Sequence, residues 1–102
     1  MDFTALPAAQ LQYEVERLLA SYAQCIDDDR LEQWPDFFTD PCHYEVVSRE
    51  NTDRGLTLPA IFCDSVGMLR DRVVALRHAN IYARHYYRHV ISSVLVTQVE
   101  AD

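Results

Sequence analysis

The sequence predicts an α+β fold, and three observations predict it. Apolar residues recur at helical spacing in the first quarter of the chain, an alternating stretch begins at residue 43, and a β-branched run occupies residues 90–99. A length of 102 residues corresponds to one domain. Hydrophobic residues make up 49% of the chain, which is too many for a disordered protein. We therefore expect a single domain over residues 1–102.

The first half should be helical. We expect residues 1–7 to form a loose tail. A helix should follow from Ala8 to about Ile26, with an apolar stripe of Leu11, Val15, Leu18, Leu19, Tyr22 and Ile26. A second, short helix is expected from about Arg30 to Phe38, capped by Asp29 and distorted by Pro35.

The middle of the chain alternates between strand, loop and helix. We expect a strand over 43–48, a loop over 49–60 and a short strand near 56–62. Asp64 is a suitable N-cap for a helix to about Ala79. The inner stripe of that helix should comprise Val66, Leu69, Val73 and Leu76.

The pattern of residues 85–99 predicts a long strand with two largely apolar faces. We expect both faces to be shielded from water by other elements or by another chain. Ten residues just before its β-branched part, Asn80 to His89, contain two Arg, two His and three Tyr. Long side chains with polar ends are thus expected at the N-terminal end of the predicted strand. Such a cluster suits either chemistry or the docking of a partner.

Charge and composition exclude several classes of protein. The net charge of −7 argues against nucleic acid or an anionic membrane as the main partner. No apolar stretch approaches the length of a membrane span, and no signal peptide is recognisable. The three cysteines follow no iron–sulfur or zinc spacing and suit a reducing cytoplasm. All nine basic residues are Arg, which favours buried ionic contacts and interfaces.

The polar cluster leaves alternatives open. His85 and His89 lie about 13 Å apart on a strand, which is too far for one metal ion. Arg84, Arg88 and the two histidines suit either an anion site or an ion-pair network with a neighbouring element, and we favour the network. Acid–base chemistry in a closed pocket would draw on Tyr22, Asp27, His43, Asp64, His85 and His89.

An ordered series of short motifs carries a resemblance across residues 12–96. The sequence resembles the small (beta) subunit of aromatic-ring-hydroxylating dioxygenases. The motifs are Glu32-Gln33-Trp34-Pro35-Asp36-Phe37-Phe38-Thr39, Cys42-His43-Tyr44, Asp64-Ser65, Met68-Leu69, Asp71-Arg72, Ala79-Asn80-Ile81-Tyr82, Arg84-His85 and Tyr87-Arg88-His89.

The resemblance implies a fold like nuclear transport factor 2 and the SnoaL-like polyketide cyclases, a cone in which a curved mixed sheet wraps on helices. It also implies no cofactor on this chain. The Rieske 2Fe–2S cluster and mononuclear iron would lie on a large alpha subunit, supplied with electrons from NAD(P)H through a reductase. The partners would be that subunit and further copies of this chain, three of each.

The resemblance further implies an interface role for the polar cluster, with Arg84, His85, Tyr87, Arg88 and His89 as candidates. Family members continue through several more strands, so we expect a fold truncated after its first long strands. Two rival functions remain. One is a stand-alone SnoaL-like dehydratase or isomerase with His43, Asp64 or His85 in a closed pocket, and the other is a small-molecule binding module.

Overall fold

The computed structural model describes residues 5–55, 59–78 and 86–100. These divide into two compact units, Met1–Arg30 with His85–Asp102 (unit 1) and Leu31–Arg84 (unit 2). The described residues form helices and a small antiparallel sheet, which confirms the predicted α+β class. That residues 1–102 form a single domain stays a prediction.

Helix α1, Ala8–Asp27, is the main element of unit 1 and matches the predicted helix to within one residue. The residues it buries are Leu11, Ala23 and Cys25. Leu18 was expected on the inner face, but it is 53% exposed. The predicted stripe was too broad because the described part of unit 1 covers only a narrow strip of the helix.

The end of α1 is closed by a Schellman motif. The Asp29 N–H donates to the Ile26 carbonyl at 3.0 Å, and the Arg30 N–H donates to the Cys25 carbonyl at 2.9 Å. Asp29 has a φ of 61°, the left-handed conformation that this motif requires and that Asp tolerates better than most residues. Asp29 therefore closes α1. That its side chain also caps the next helix stays a prediction.

Unit 2 begins with a 3₁₀ helix, Leu31–Phe37, where the sequence predicted a short distorted helix. Trp34 is buried in this unit and meets two other rings edge-on, Phe38 at 5.4 Å and Tyr44 at 5.1 Å between ring centroids. Edge-to-face pairs of this kind add stability beyond simple burial. The rings of Trp34, Phe38 and Tyr44 are thus packed against one another in unit 2.

The sheet of unit 2 has two short antiparallel strands, β1 (Tyr44–Val46) and β2 (Ile61–Cys63), with Glu45 opposite Phe62. Between them lies a short helix, α2 (Arg49–Asp53), where we expected a loop. Ser48 caps α2 by accepting a hydrogen bond from the Asn51 N–H at 3.2 Å. Two ion pairs at i,i+4 spacing, Arg49–Asp53 and Glu50–Arg54, support this single turn.

Helix α3, Val66–His78, completes unit 2, and the predicted inner residues Val66, Leu69 and Val73 are buried. The fourth predicted inner residue, Leu76, is 38% exposed because the last turn lies near the edge of this small unit. The expected cap is also wrong. Ser65, one residue nearer the helix than Asp64, accepts the Met68 N–H at 3.2 Å.

Residues 86–100, called segment 86–100 below, follow in unit 1 without regular secondary structure. The prediction of a long strand over 85–99 is therefore wrong for the described residues. A strand needs a neighbouring strand for its backbone groups, and the described part of unit 1 contains none. The positive φ of Ser93, 58°, also interrupts an extended conformation. Among the described residues, no helix is long and apolar enough to cross a membrane.

Candidate functional site

An ion pair joins the end of α1 to segment 86–100. The Asp27 side chain, only 2% exposed, lies 2.5 Å from the Nδ1 atom of His89. Its second oxygen accepts the backbone N–H of His89 at 2.6 Å. One carboxylate thus fixes both the backbone and the ring of His89. This is the ion-pair network with a neighbouring element that the sequence favoured for His89.

The charge state of Asp27 follows from opposing effects. Burial raises the pKa of this carboxyl, but the hydrogen bonds from the His89 ring and backbone lower it, and so do the positive charges of His89 and Arg88. The net result is a pKa below the usual value of 3.8. Asp27 is therefore an ionised acceptor at neutral pH, and Nδ1 of His89 carries the proton of their hydrogen bond.

A second attachment lies near the start of α1. The Gln12 side-chain amide donates to the Val94 carbonyl at 2.6 Å and accepts from the Val96 N–H at 3.0 Å. The Gln12 side chain thus makes the two hydrogen bonds that a peptide group of a neighbouring strand would make with the segment. Two side chains of α1 satisfy backbone groups of the segment that has no strand beside it.

The two attachments fix the register of segment 86–100 along α1. Gln12 and Asp27 are about 22 Å apart along a helix, and residues 89–95 span at most about 21 Å when extended. These lengths agree within the reach of the side chains. The segment therefore runs antiparallel to α1, with His89 near the end of the helix and Val96 near its start.

A groove of about 390 Å³ lies between the second half of α1 and segment 86–100. Its polar lining includes Glu16, Gln24, Asp27, Arg88 and His89. Its apolar lining comes from Leu19, Ala20, Ala23, Val90, Ile91 and Val94. An apolar groove with a few converging polar groups is the usual setting of a small-molecule site.

The structure places only part of the predicted interface set. Tyr87 and Arg88 are exposed, Tyr87 to 56%, and the His89 side chain is half exposed. Arg84 and His85 lie outside the described residues. Beside the polar residues, Val90 and Leu95 are exposed to 86% and 76%. Segment 86–100 therefore presents apolar as well as polar side chains to solvent.

The described candidates for the catalytic alternative lie in unit 2, at the end of its sheet. Continuing the strand register places His43 opposite Asp64, and the Cys42 N–H donates to the Asp64 carbonyl at 3.3 Å. The His43 side chain is 65% exposed, and its Nε2 atom lies 3.5 Å from Glu45. Neither residue lines the groove of unit 1. A catalytic role for them, and for His85, stays a prediction.

The described residues offer few groups suited to metal binding or thiol chemistry. Residues 5–55, 59–78 and 86–100 bring together no three His, Cys, Asp or Glu side chains that are placed to hold a metal ion. Burial raises the pKa of the Cys42 thiol, and so do Asp40, Cys63 and Asp64 nearby. That thiol is therefore protonated at neutral pH, the less nucleophilic form.

Sequence reasoning found two members of this site, Asp27 and His89, but neither their arrangement nor Gln12. Asp27 and His89 were both candidates for acid–base chemistry, yet they are 62 positions apart and no local pattern joins them. Gln12 was not a candidate at all, since a Gln on the face of an amphipathic helix is ordinarily solvated. Only the fold brings Gln12 to Val94, 82 positions away.

Comparison with known proteins gives consistent results. The family described as "Ring hydroxylating beta subunit" matches residues 22–102. The small subunit of anthranilate 1,2-dioxygenase from Burkholderia cepacia is 49% identical over 84 residues, covering 82% of this chain and 52% of that protein. Subunit beta 2 of the terminal oxygenase component of terephthalate 1,2-dioxygenase from a Comamonas species is 49% identical over 80 residues, covering 78% and 52%.

A solved structure supports the same relationship. The beta subunit assigned to an aromatic-ring-hydroxylating dioxygenase of Novosphingobium aromaticivorans DSM 12444 is 50% identical and superimposes with a TM-score of 0.79. The match covers 92% of this chain and 60% of that one. This chain thus spans about half the length of the curated relatives it matches.

Proposed function

Because this chain belongs to the family of ring-hydroxylating beta subunits, we propose that it is the small subunit of a multicomponent Rieske non-haem iron dioxygenase. The substrate would be an aromatic carboxylic acid such as terephthalate. The observation that carries the proposal is the family match over residues 22–102, together with 49% identity to two small subunits. Both of those proteins are named for dioxygenases of aromatic carboxylates.

In the proposed reaction, the complete enzyme adds both atoms of O₂ to the aromatic ring and forms a cis-dihydrodiol. NAD(P)H supplies two electrons through a reductase, and a proton from water completes the balance. The described residues of this chain offer no ligand set for a Rieske cluster or a mononuclear iron. On the strength of the family match over residues 22–102, we place both groups on the large alpha subunit, and in this proposal the chain contributes scaffold in the cytoplasm.

The surface that would serve assembly is the N-terminal part of segment 86–100. Its described interface candidates are Tyr87 and Arg88, with His89 held behind them by Asp27. Tyr and Arg are the side chains most enriched where protein interfaces gain their affinity. The neighbouring Val90 and Ile91 are exposed to 86% and 47%, so the proposed surface offers apolar as well as polar contact area. Arg84 and His85 complete the proposed set by their sequence position.

The test is assembly with a large subunit. We would co-express the chain with the tagged large subunit of terephthalate dioxygenase and measure the mass of the purified complex by light scattering. A hetero-oligomer, with three copies of each chain as the expected composition, supports the proposal. A chain that stays monomeric and alone turns over a small ketone or alcohol supports the dehydratase or isomerase alternative.

Variants locate the contact surface. Changing Tyr87→Ala together with Arg88→Ala should weaken the complex at least tenfold, because a Tyr or Arg that acts as an interface hot spot contributes about 2 kcal/mol or more. Tyr13→Ala is the matched control, since Tyr13 and Tyr87 are both 56% exposed but Tyr13 lies on α1. Equal affinities for the two variants would contradict the proposed surface.

A further inference from the structure

Residues 94–97 alternate as a strand does, although the described part of unit 1 pairs them with no other strand. Val94 and Val96 are half-buried, whereas Leu95 and Thr97 are exposed, so successive side chains point to opposite faces. The Val94 carbonyl and the Val96 N–H both bond to the Gln12 side chain. In an extended backbone, residues i and i+2 direct their polar groups to the same edge. Gln12 therefore covers the edge that Val94 and Val96 share.

The opposite edge, called the open edge below, carries the backbone N–H and C=O groups of Leu95, Thr97 and Val99. Within residues 5–55, 59–78 and 86–100, none of these groups has a hydrogen-bond partner. The Leu95 and Val99 side chains are 76% and 38% exposed. A row of unpaired backbone groups with apolar side chains beside it is a template for pairing with a strand of another chain.

The side chains of the open edge are complementary to themselves. In either chain direction, Leu95, Thr97 and Val99 follow the order apolar, hydroxyl, apolar. An antiparallel second copy centred on Thr97 therefore places Leu95 opposite the partner's Val99 and Thr97 opposite the partner's Thr97. Thr–Thr pairs across strands are favourable, and the apolar pair shields both side chains from water.

Other registers match less well. A two-fold axis at Val96 would place Leu95 opposite the partner's Thr97, and an axis at Gln98 would place Thr97 opposite the partner's Val99. An axis at Leu95 would extend the pairing to Ser93, whose φ of 58° interrupts the extended backbone. The axis at Thr97 is therefore the one that both the side chains and the backbone allow.

From these observations we propose that two copies of this chain pair along the open edge as antiparallel strands, with a two-fold axis at Thr97. Leu95, Thr97 and Val99 of each copy then exchange N–H···O=C bonds with the same three residues of the other. Such a contact is isologous, since one surface serves both copies. It is a property of the chain without a large subunit and uses neither Tyr87 nor Arg88, so its test is independent of the proposed function.

The first test uses the unaltered chain over a series of concentrations. Sedimentation velocity should show the mass rising from one copy toward two. Hydrogen exchange should then distinguish the two edges, because the Gln98 amide lies on the edge of Val94 and Val96. From the dilute to the concentrated sample, exchange of the Thr97 and Val99 amides should slow at least about tenfold, while that of Gln98 should change less than about twofold.

The second test places charges on the axis. Thr97→Lys alone and Thr97→Glu alone set like charges opposite each other and should weaken the dimer about fivefold or more. When the two variants are mixed, with one of them ¹⁵N-labelled, native mass spectrometry should find more heterodimer than random mixing gives. Ser93→Lys mixed with Ser93→Glu is the matched control, because Ser93 is also exposed in this segment but lies off the axis, and it should mix randomly.

Three results overturn the proposal. They are a chain that stays monomeric at all concentrations, self-association in which Thr97 and Gln98 exchange change equally, and random mixing of the Thr97 variants. If either Thr97 variant lacks the circular dichroism of the unaltered chain, the contrast between the Thr97 and Gln98 amides decides alone.

Discussion

The attachment of segment 86–100 to α1 through Gln12 makes a quantitative prediction. Changing Gln12→Leu keeps a side chain of similar size and removes both hydrogen bonds to the segment, those to the Val94 carbonyl and the Val96 N–H. Leucine offers these backbone groups no partner. The change also removes the bond from Gln12 to Glu16 one turn further along the helix.

The magnitude follows from the bonds that are lost. Each neutral hydrogen bond contributes about 0.5–1.5 kcal/mol net, so the two bonds to the segment together contribute about 1–3 kcal/mol. The bond to Glu16 adds only about 0.2–0.5 kcal/mol. If the segment detaches locally, a loss of about 1–3 kcal/mol should make the Val96 amide exchange with solvent about 5 to 160 times faster.

The assay is hydrogen exchange read at individual amides, combined with urea unfolding. The matched control is Gln98→Leu, because Gln98 lies in the segment itself and its side-chain amide donates to Glu100, two residues away, and not to α1. The control should leave Val96 exchange within about twofold of the unaltered chain. An unchanged Val96 exchange rate and an unchanged unfolding midpoint in Gln12→Leu would refute the register argument.

Three further predictions concern stability. Leu69→Ala, at a fully buried position, should lower the free energy of unfolding in urea by about 2–5 kcal/mol, whereas Leu76→Ala on the same helix should cost clearly less; equal losses would contradict the core assignment. The pKa of Asp27 is lowered in the fold, so its stabilisation is complete above the unfolded value of 3.8 and is lost as pH falls through the lower folded value. The stability difference between the unaltered chain and Asp27→Asn should therefore shrink as pH falls below about 4, and a difference that grows there would show the sign to be wrong. Gly55→Ala should destabilise by about 1 kcal/mol because its φ is +71°, while Gly67→Ala in α3 should stabilise by about 0.5–1 kcal/mol, both measured by urea unfolding; the same sign for both would contradict this account.

Elements that depend on local sequence were predictable. Helices α1 and α3 follow from apolar periodicity, and β1 and β2 from alternation and their flanking turns. Helix α2 was missed because it has no apolar face, although Ser48 and the charges of residues 49–54 supplied a signal at i,i+4 spacing. The exposure of Leu18 and Leu76 depends on how much of each helix its unit covers, which periodicity does not reveal.

Segment 86–100 shows the limit of sequence reasoning most clearly. Its β-branched residues have strand propensity, but strand pairing depends on partners distant in the chain. In the described part of unit 1 its backbone bonds instead to side chains of α1. The same distance hid the pairing of Asp27 with His89, although both residues were candidates. The resemblance to beta subunits could be recognised from the sequence because it rests on an ordered series of motifs and not on contacts between distant residues.

The central claim is that this chain acts as the scaffold subunit of a ring-hydroxylating dioxygenase. Native mass spectrometry of the chain co-expressed with a Rieske-type large subunit, combined with iron analysis of each separated subunit, tests it most directly. The account predicts a complex with equal numbers of the two chains and all of the iron on the large subunit. A chain that never enters the complex, or that carries the iron itself, would contradict it.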